Sequence, residues 1–262
     1  MKEISSNVTF WNRGMNRVLI EHFGANHRNV FDKPIDIVIQ KITSEHNQAS
    51  KKFNKLLELV GKGNFASLEK RREEYEKNGK NLYNDFMNLK QEVDDFENEL
   101  FALYEVQIIY AFKNLEIRIK GLISQSYPTE ILNKNSKWGN LIEFLRFKKI
   151  EPKNILGYKE INELRIVNNS IKHSASKIDN SLNEIEEFKE QNNLSFELLK
   201  SFYQRVKSFP NLFVKALSEM IVKDIYEFNE ERLFTMAKSL AERMTIEQAT
   251  KFNKLLSKHY KK

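Results

Sequence analysis

The chain of 262 residues has no cysteine, only 8 glycines and 4 prolines, and no long uninterrupted apolar run. The missing cysteine removes disulfides, thiolate zinc sites, iron–sulfur clusters and cysteine nucleophiles together, and it agrees with a reducing compartment. So little glycine and proline leaves scant punctuation for a many-turned β-sandwich or a glycine-looped α/β enzyme, whereas long helices need little of either. No window approaches the length of a membrane-spanning helix. The opening MKEISSNVTFWNRGMNRVLIEHF lacks the apolar block and small-residue site of a secretory signal. An all-α, cytoplasmic protein with no membrane partner is expected.

What the chain has is 40% hydrophobic residues, 19 of its residues being phenylalanine, which argues for a real core and against wholesale disorder. It also carries 30% charged residues with a mean hydropathy of −0.58, so its solvated surface is large. The net charge of +7 suits contact with a polyanion through phosphate neutralisation. A lysine-rich solvated surface in a chain also rich in asparagine and isoleucine gives the same charge without any such partner. Charge alone does not separate the two.

Apolar residues at helical spacing from Ile35 to Val60, after the breaker Pro34 and before GKGN at Gly61, predict a helix. The following stretch mixes both charge signs around Leu68, Tyr75, Leu82, Phe86, Leu89, Val93, Phe96 and Leu100. That near-heptad spacing predicts a long exposed helix in a hairpin or coiled coil, with Gly79 a candidate interruption. The rhythm passes into a strongly apolar helix with a stripe of Phe101, Tyr104, Ile108, Phe112, Leu115, Ile119 and Leu122. Glu116 and Lys120, one turn apart, sit just off that stripe. QSYPTE, with Pro128, closes it. WGNLIEFLRF predicts a short helix and EPKNILGY a connecting loop.

ELRIVNNSIKHS, Glu163 to Ser174, is the stretch that most invites a chemical reading. Its apolar stripe is Leu164, Val167 and Ile171. At 100° per residue, Arg165, Asn169 and His173 climb the opposite side in steps of four, with Lys172 at the flank. Asn168 falls nearer the apolar stripe and is assigned to packing or hydrogen bonding. Beyond it, SASKIDNS and NEIEEFKEQNN predict a loop or frayed excursion. Ser195 is placed to cap the next helix, Pro210 to kink or divide it, and TIEQ from Thr245 to open the last as a capping box. His259 is expected to be exposed and idle.

Elsewhere the catalytic inventory is empty. The sequence has no glycine-rich phosphate loop, HExxH, nucleophile elbow or paired-histidine metal spacing. His22 and His27 flank Gly24 at a spacing that does not share a helical face, and the acidic run from Asp94 to Glu99 reads as a solvated helix side. No metal and no cofactor are expected.

LRIVNNSIKHS, preceded by the buried LEIRIKGLI and followed by LSFELLKSFYQRVKSFPNLFVKAL, resembles the HEPN superfamily. These are helical domains of prokaryotic toxins, phage-defence proteins and RNA-processing nucleases. The likeness runs from Phe101 to Phe228. It implies an N-terminal helical, coiled-coil-like region over residues 1–100, a HEPN-like bundle over 101–228, and a helical extension with a basic tail over 229–262. In that family an arginine and a histidine separated by a short gap form an RNase motif, and a Glu and a Lys on an earlier helix support it. The match gives His173 the histidine's place, Asn169 the intervening polar place, and Glu116 with Lys120 the earlier pair. Seven residues separate Arg165 from His173, a longer gap than the family's, and Val167 or Asn168 stands where its arginine is most often found.

The resemblance implies a metal-independent endoribonuclease in a toxin or phage-defence role, with RNA as substrate. It implies a homodimer whose motif helices face one another, and an antitoxin or other defence protein as a further partner. Cutting RNA without a metal takes a base for the 2′-hydroxyl, an acid for the leaving oxygen and positive charge on the phosphate. An imidazole can do either proton job near neutrality. In this reading His173 is the acid or base, Arg165 holds the phosphate with Lys172 and Lys120 as further contacts, Asn169 orients the imidazole or ribose, and Glu116 fixes a cation's rotamer. Two other classes remain open: a non-catalytic HEPN-like module binding RNA or protein, and a structural coiled coil, against which the broken heptads and many phenylalanines count.

Overall fold

A computed structural model of the chain describes residues 6–25, 32–61, 65–77, 79, 81–127, 137–173 and 177–260. The expectations attached to His27, Pro128 and Ser174, and to the side chain of His259, lie outside the described residues. The regular structure is helical. The helices are α1 (Ser6–Gly24), α2 (Asp32–Gly61), α3 (Phe65–Glu76), α4 (Leu82–Ser126), α5 (Trp138–Phe147), α6 (Tyr158–His173), α7 (Phe196–Val206), α8 (Phe209–Tyr226), α9 (Glu230–Ala241) and α10 (Ile246–Tyr260). Single 3-10 turns lie at Pro152–Asn154, Leu182–Glu184 and Glu186–Phe188. An isolated bridge pairs Lys177 with Asn193, and no strand occurs among the described residues. No helix among them is long and apolar enough to cross a membrane.

Local chemistry explains most boundaries. Pro34 lies inside the first turn of α2 rather than ahead of it, where its missing N–H would have had no helical partner. Gly79 takes φ of +71° between α3 and α4, a conformation that glycine reaches without penalty, and Tyr75 closes the turn by donating to Asp85 Oδ2 at 3.0 Å. Ser195 Oγ accepts the Leu198 N–H at 3.4 Å, and Asn229 Oδ1 accepts that of Arg232 at 2.8 Å, capping α7 and α9. The capping box of α10 is complete. The Thr245 N–H donates to Gln248 Oε1 at 2.9 Å, and the Gln248 N–H donates to Thr245 Oγ1 at 3.3 Å. Pro210 sits in the first turn of α8, four residues past Val206, where α7 ends.

α4 runs through Leu100 and Phe101 without a break, so the charged stretch and the apolar stretch are one helix of 45 residues. Val93, Leu100, Tyr104, Ile108, Phe112, Leu115, Ile119 and Leu122 are buried along it, which matches the predicted stripe except at Phe101, which is half-buried.

The chain divides into two compact units, each assembled from segments distant in sequence. One comprises Met1–His27, Leu115–Lys159 and Phe209–Lys262; the other comprises Arg28–Asn114 and Glu160–Ser208. In the first, α1 packs along α8 so closely that a methyl group on Gly24 would overlap the Ser218 hydroxyl. Leu141, Leu145, Phe213, Leu217 and Ile221 are fully enclosed there, and the Tyr127 hydroxyl donates to Asp224 Oδ2 at 2.8 Å. In the second, Ile161, Leu164, Val167, Phe188, Leu199, Phe202 and Val206 are sealed from solvent. There the Gln107 amide donates to Asp36 Oδ1 at 2.9 Å and the Tyr203 hydroxyl to Asp32 Oδ1 at 2.7 Å.

Candidate functional site

α6 begins after Ile155 to Gly157, where Gly157 adopts φ of +86°. Its inward face is Ile161, Leu164, Val167 and Asn168, with Glu163 and Ser170 also buried at the edge. Ile171, predicted as part of the stripe, is half-buried at the helix end. The hydrophobic spacing therefore sets which side is left to solvent, and that side carries Arg165, Asn169, Lys172 and His173.

Beyond apolar packing, a charged clasp holds α6. Arg205 of α7 donates from Nη1 to Glu163 Oε2 at 2.8 Å, and from Nε and Nη2 to Glu187 Oε1 and Oε2 at 2.6 and 2.8 Å. The bidentate fork on Glu187 is the strong geometry for a guanidinium and a carboxylate. It raises the Arg205 pKa above the ordinary arginine value, the hydrogen bond to Glu187 contributing most against burial. Burial pushes the Glu187 carboxyl up, but the hydrogen bonds from Arg205 and its own backbone outweigh that and hold it below the usual range. Arg205 also lies 5.5 Å from the centre of the Phe202 ring.

On the outer face, Asn169, Lys172 and His173 are exposed and Arg165 is half-buried. Arg165 donates from Nε and Nη2 to Asn162 Oδ1 at 3.2 and 3.1 Å, one turn towards the start of the helix. Side chains on a helix lean that way, so this fork is directed away from His173, whose own position is about 12 Å further along the axis by helical rise. Asn168 donates from Nδ2 to Asn169 Oδ1 at 3.1 Å, which orients the exposed amide from beneath. Its Oδ1 and the Ser170 Oγ are buried without a hydrogen-bond partner. Lys172 and His173 occupy the last turn, where unpaired carbonyls and the negative end of the helix dipole favour cationic side chains on their own account.

The structure thus places Arg165, Asn169, Lys172 and His173 on one face of one helix within one unit. Glu116 and Lys120 are half-buried on the part of α4 assigned to the other unit. Between them Arg118, which sequence patterning left without a role, is only 8% exposed. Its Nη1 donates to Asn211 Oδ1 at 2.5 Å, while Nε and Nη2 are buried with no partner. Burial lowers its pKa. The signal for Arg118 was its position beside Leu115, Ile119 and Leu122 on the apolar side of the helix. Asn162 was legible too, since it stands three residues before Arg165 and helical neighbours meet at that spacing.

Among the described residues no group of three or more His, Asp or Glu side chains is arranged to hold a metal ion. No family model, curated protein or solved structure matches this chain.

Proposed function

We propose that the protein is a metal-independent endoribonuclease of the HEPN type, acting as a toxin or in phage defence, with the outer face of α6 as its RNA-facing surface. The observation that carries this reading is the exposed Asn169, Lys172 and His173 on the face opposite a core fastened by the Arg205 clasp. His173 supplies the proton transfers, Lys172 contacts the phosphate, and Asn169, held by Asn168, orients the ribose or the imidazole. Arg165 joins the phosphate when its fork leaves Asn162. A homodimer with paired α6 helices gives each scissile phosphate an acid and a base, and the products carry 2′,3′-cyclic phosphates. An antitoxin or other defence-system protein controls it.

The engagement of Arg165 by Asn162 favours a second reading, a HEPN-like module that binds RNA or a protein partner without cutting. Binding and cleavage assayed on the same RNA separate the two. Under the first reading the parent protein cleaves, and His173→Ala binds RNA with similar affinity without cleaving it. Binding by both proteins with cleavage by neither supports the second.

A further inference from the structure

Two helices of the first unit carry large apolar side chains that its own fold leaves exposed. No residue of α9 is buried, and Leu233, Phe234 and Met236 stand exposed along it, Phe234 at 71%. α10 repeats the pattern, with Ile246 at 88% exposure and Phe252, Leu255 and Leu256 all exposed. At 100° per residue, Leu255, Phe252, Leu256 and Ala249 fall within an arc of about 120°. Lys251, Lys254 and Lys258 occupy the opposite arc, with Glu247 the single acid of the helix, and Lys261 and Lys262 follow in the sequence.

An amphipathic helix of this kind, well capped at its start and basic on its polar side, has the chemistry of helices that lie in the plane of a lipid interface. Charge selects a lipid surface over a partner helix: the lysine surplus of α10 complements the negative potential of an anionic leaflet. We infer that α10 forms a peripheral docking surface for anionic lipid bilayers, its apolar residues entering the interface and Lys251, Lys254 and Lys258 facing the headgroup charge. This is a surface contact, distinct from spanning; it departs from the sequence expectation of no membrane partner and does not depend on the reading of α6.

The test is sedimentation of the full chain with vesicles of phosphatidylcholine alone or mixed with phosphatidylglycerol. The parent is expected to pellet with the mixed vesicles, to stay in solution with the neutral ones, and to dissociate as salt rises. Phe252→Glu with Leu256→Glu should lower binding at least tenfold in a variant whose circular dichroism shows that it is still folded. Replacing Lys251, Lys254 and Lys258 with glutamine should lower it by roughly a hundredfold, near fivefold for each charge. The inference is overturned if the parent ignores the mixed vesicles, binds both kinds equally, or binds them undiminished in the Phe252/Leu256 variant. It is also overturned if the parent is a dimer in vesicle-free buffer that the same variant converts to monomer, which would make a second copy the occupant of this face.

Discussion

Arg205 and Glu163 join α7 to α6 through a 2.8 Å hydrogen bond between Nη1 and Oε2, and Glu163 lies two residues before Arg165. The helix that presents the candidate site is therefore fixed by charge as well as by Leu164 and Val167. Removing one partner leaves the other charges sheltered without compensation, which is the costly way to break such a group. With Arg205 about one-third exposed, Arg205→Ala is expected to destabilise the protein by about 2–3 kcal/mol. Urea unfolding measures this, and an unchanged midpoint would mean that the clasp adds nothing.

The same clasp gives an acid limit. Glu187 titrates below its unfolded value, so the stability it contributes is present above the ordinary glutamate range. It is lost as pH falls through the depressed folded value. Glu187→Gln should flatten the fall of melting temperature below the ordinary glutamate range. A parent and variant with parallel curves there would show that Glu187 gains nothing from Arg205.

Arg118 presents the opposite case. It is buried, held by Asn211 alone through Nη1, and carries two further nitrogens without partners. Replacing such a group with an apolar side chain of similar length is often neutral or stabilising. Arg118→Met is therefore expected to keep stability within about 1 kcal/mol of the parent or to raise it. A loss of several kcal/mol by the same unfolding measurement would contradict this.

Gly157 precedes α6 at φ of +86°, and a methyl group there would lie 3.2 Å from the Phe209 ring. Both backbone and contact oppose a side chain. Gly157→Ala should lower stability by about 1–2 kcal/mol. An unaffected melting temperature would show that the turn relaxes freely.

If α6 faces RNA, Lys172→Ala should weaken binding evenly across sequences and reduce the logarithmic salt slope by about one. An unchanged slope would remove Lys172 from the interface.

Much of this architecture was legible because helices announce themselves by period and by caps. The α4 stripe, the Ser195 cap, the Thr245–Gln248 box and the break at Gly79 are all local, set by residues within a turn or two of one another. The clasp was not legible, since Glu163, Glu187 and Arg205 lie up to 42 residues apart and each alone looks like a surface charge. The burial of Arg118 was hidden for the same reason, because its contact with Asn211 spans 93 residues. At α6 the pattern gave the outward face, but a period cannot say which way a flexible guanidinium turns, and here it turns to Asn162. The assignment of Glu116 and Lys120 to the other unit depends on chain packing over long distances, which spacing does not encode.

Whether His173 acts on RNA without a metal is decided by end-labelled RNA incubated with the parent protein and with His173→Ala in excess EDTA and resolved on a denaturing gel. The parent is expected to cleave, giving products that end in 2′,3′-cyclic phosphate, and the variant, with unchanged melting temperature, to leave the RNA intact. Intact RNA in both lanes, or equal cleavage in both, would contradict that role for His173.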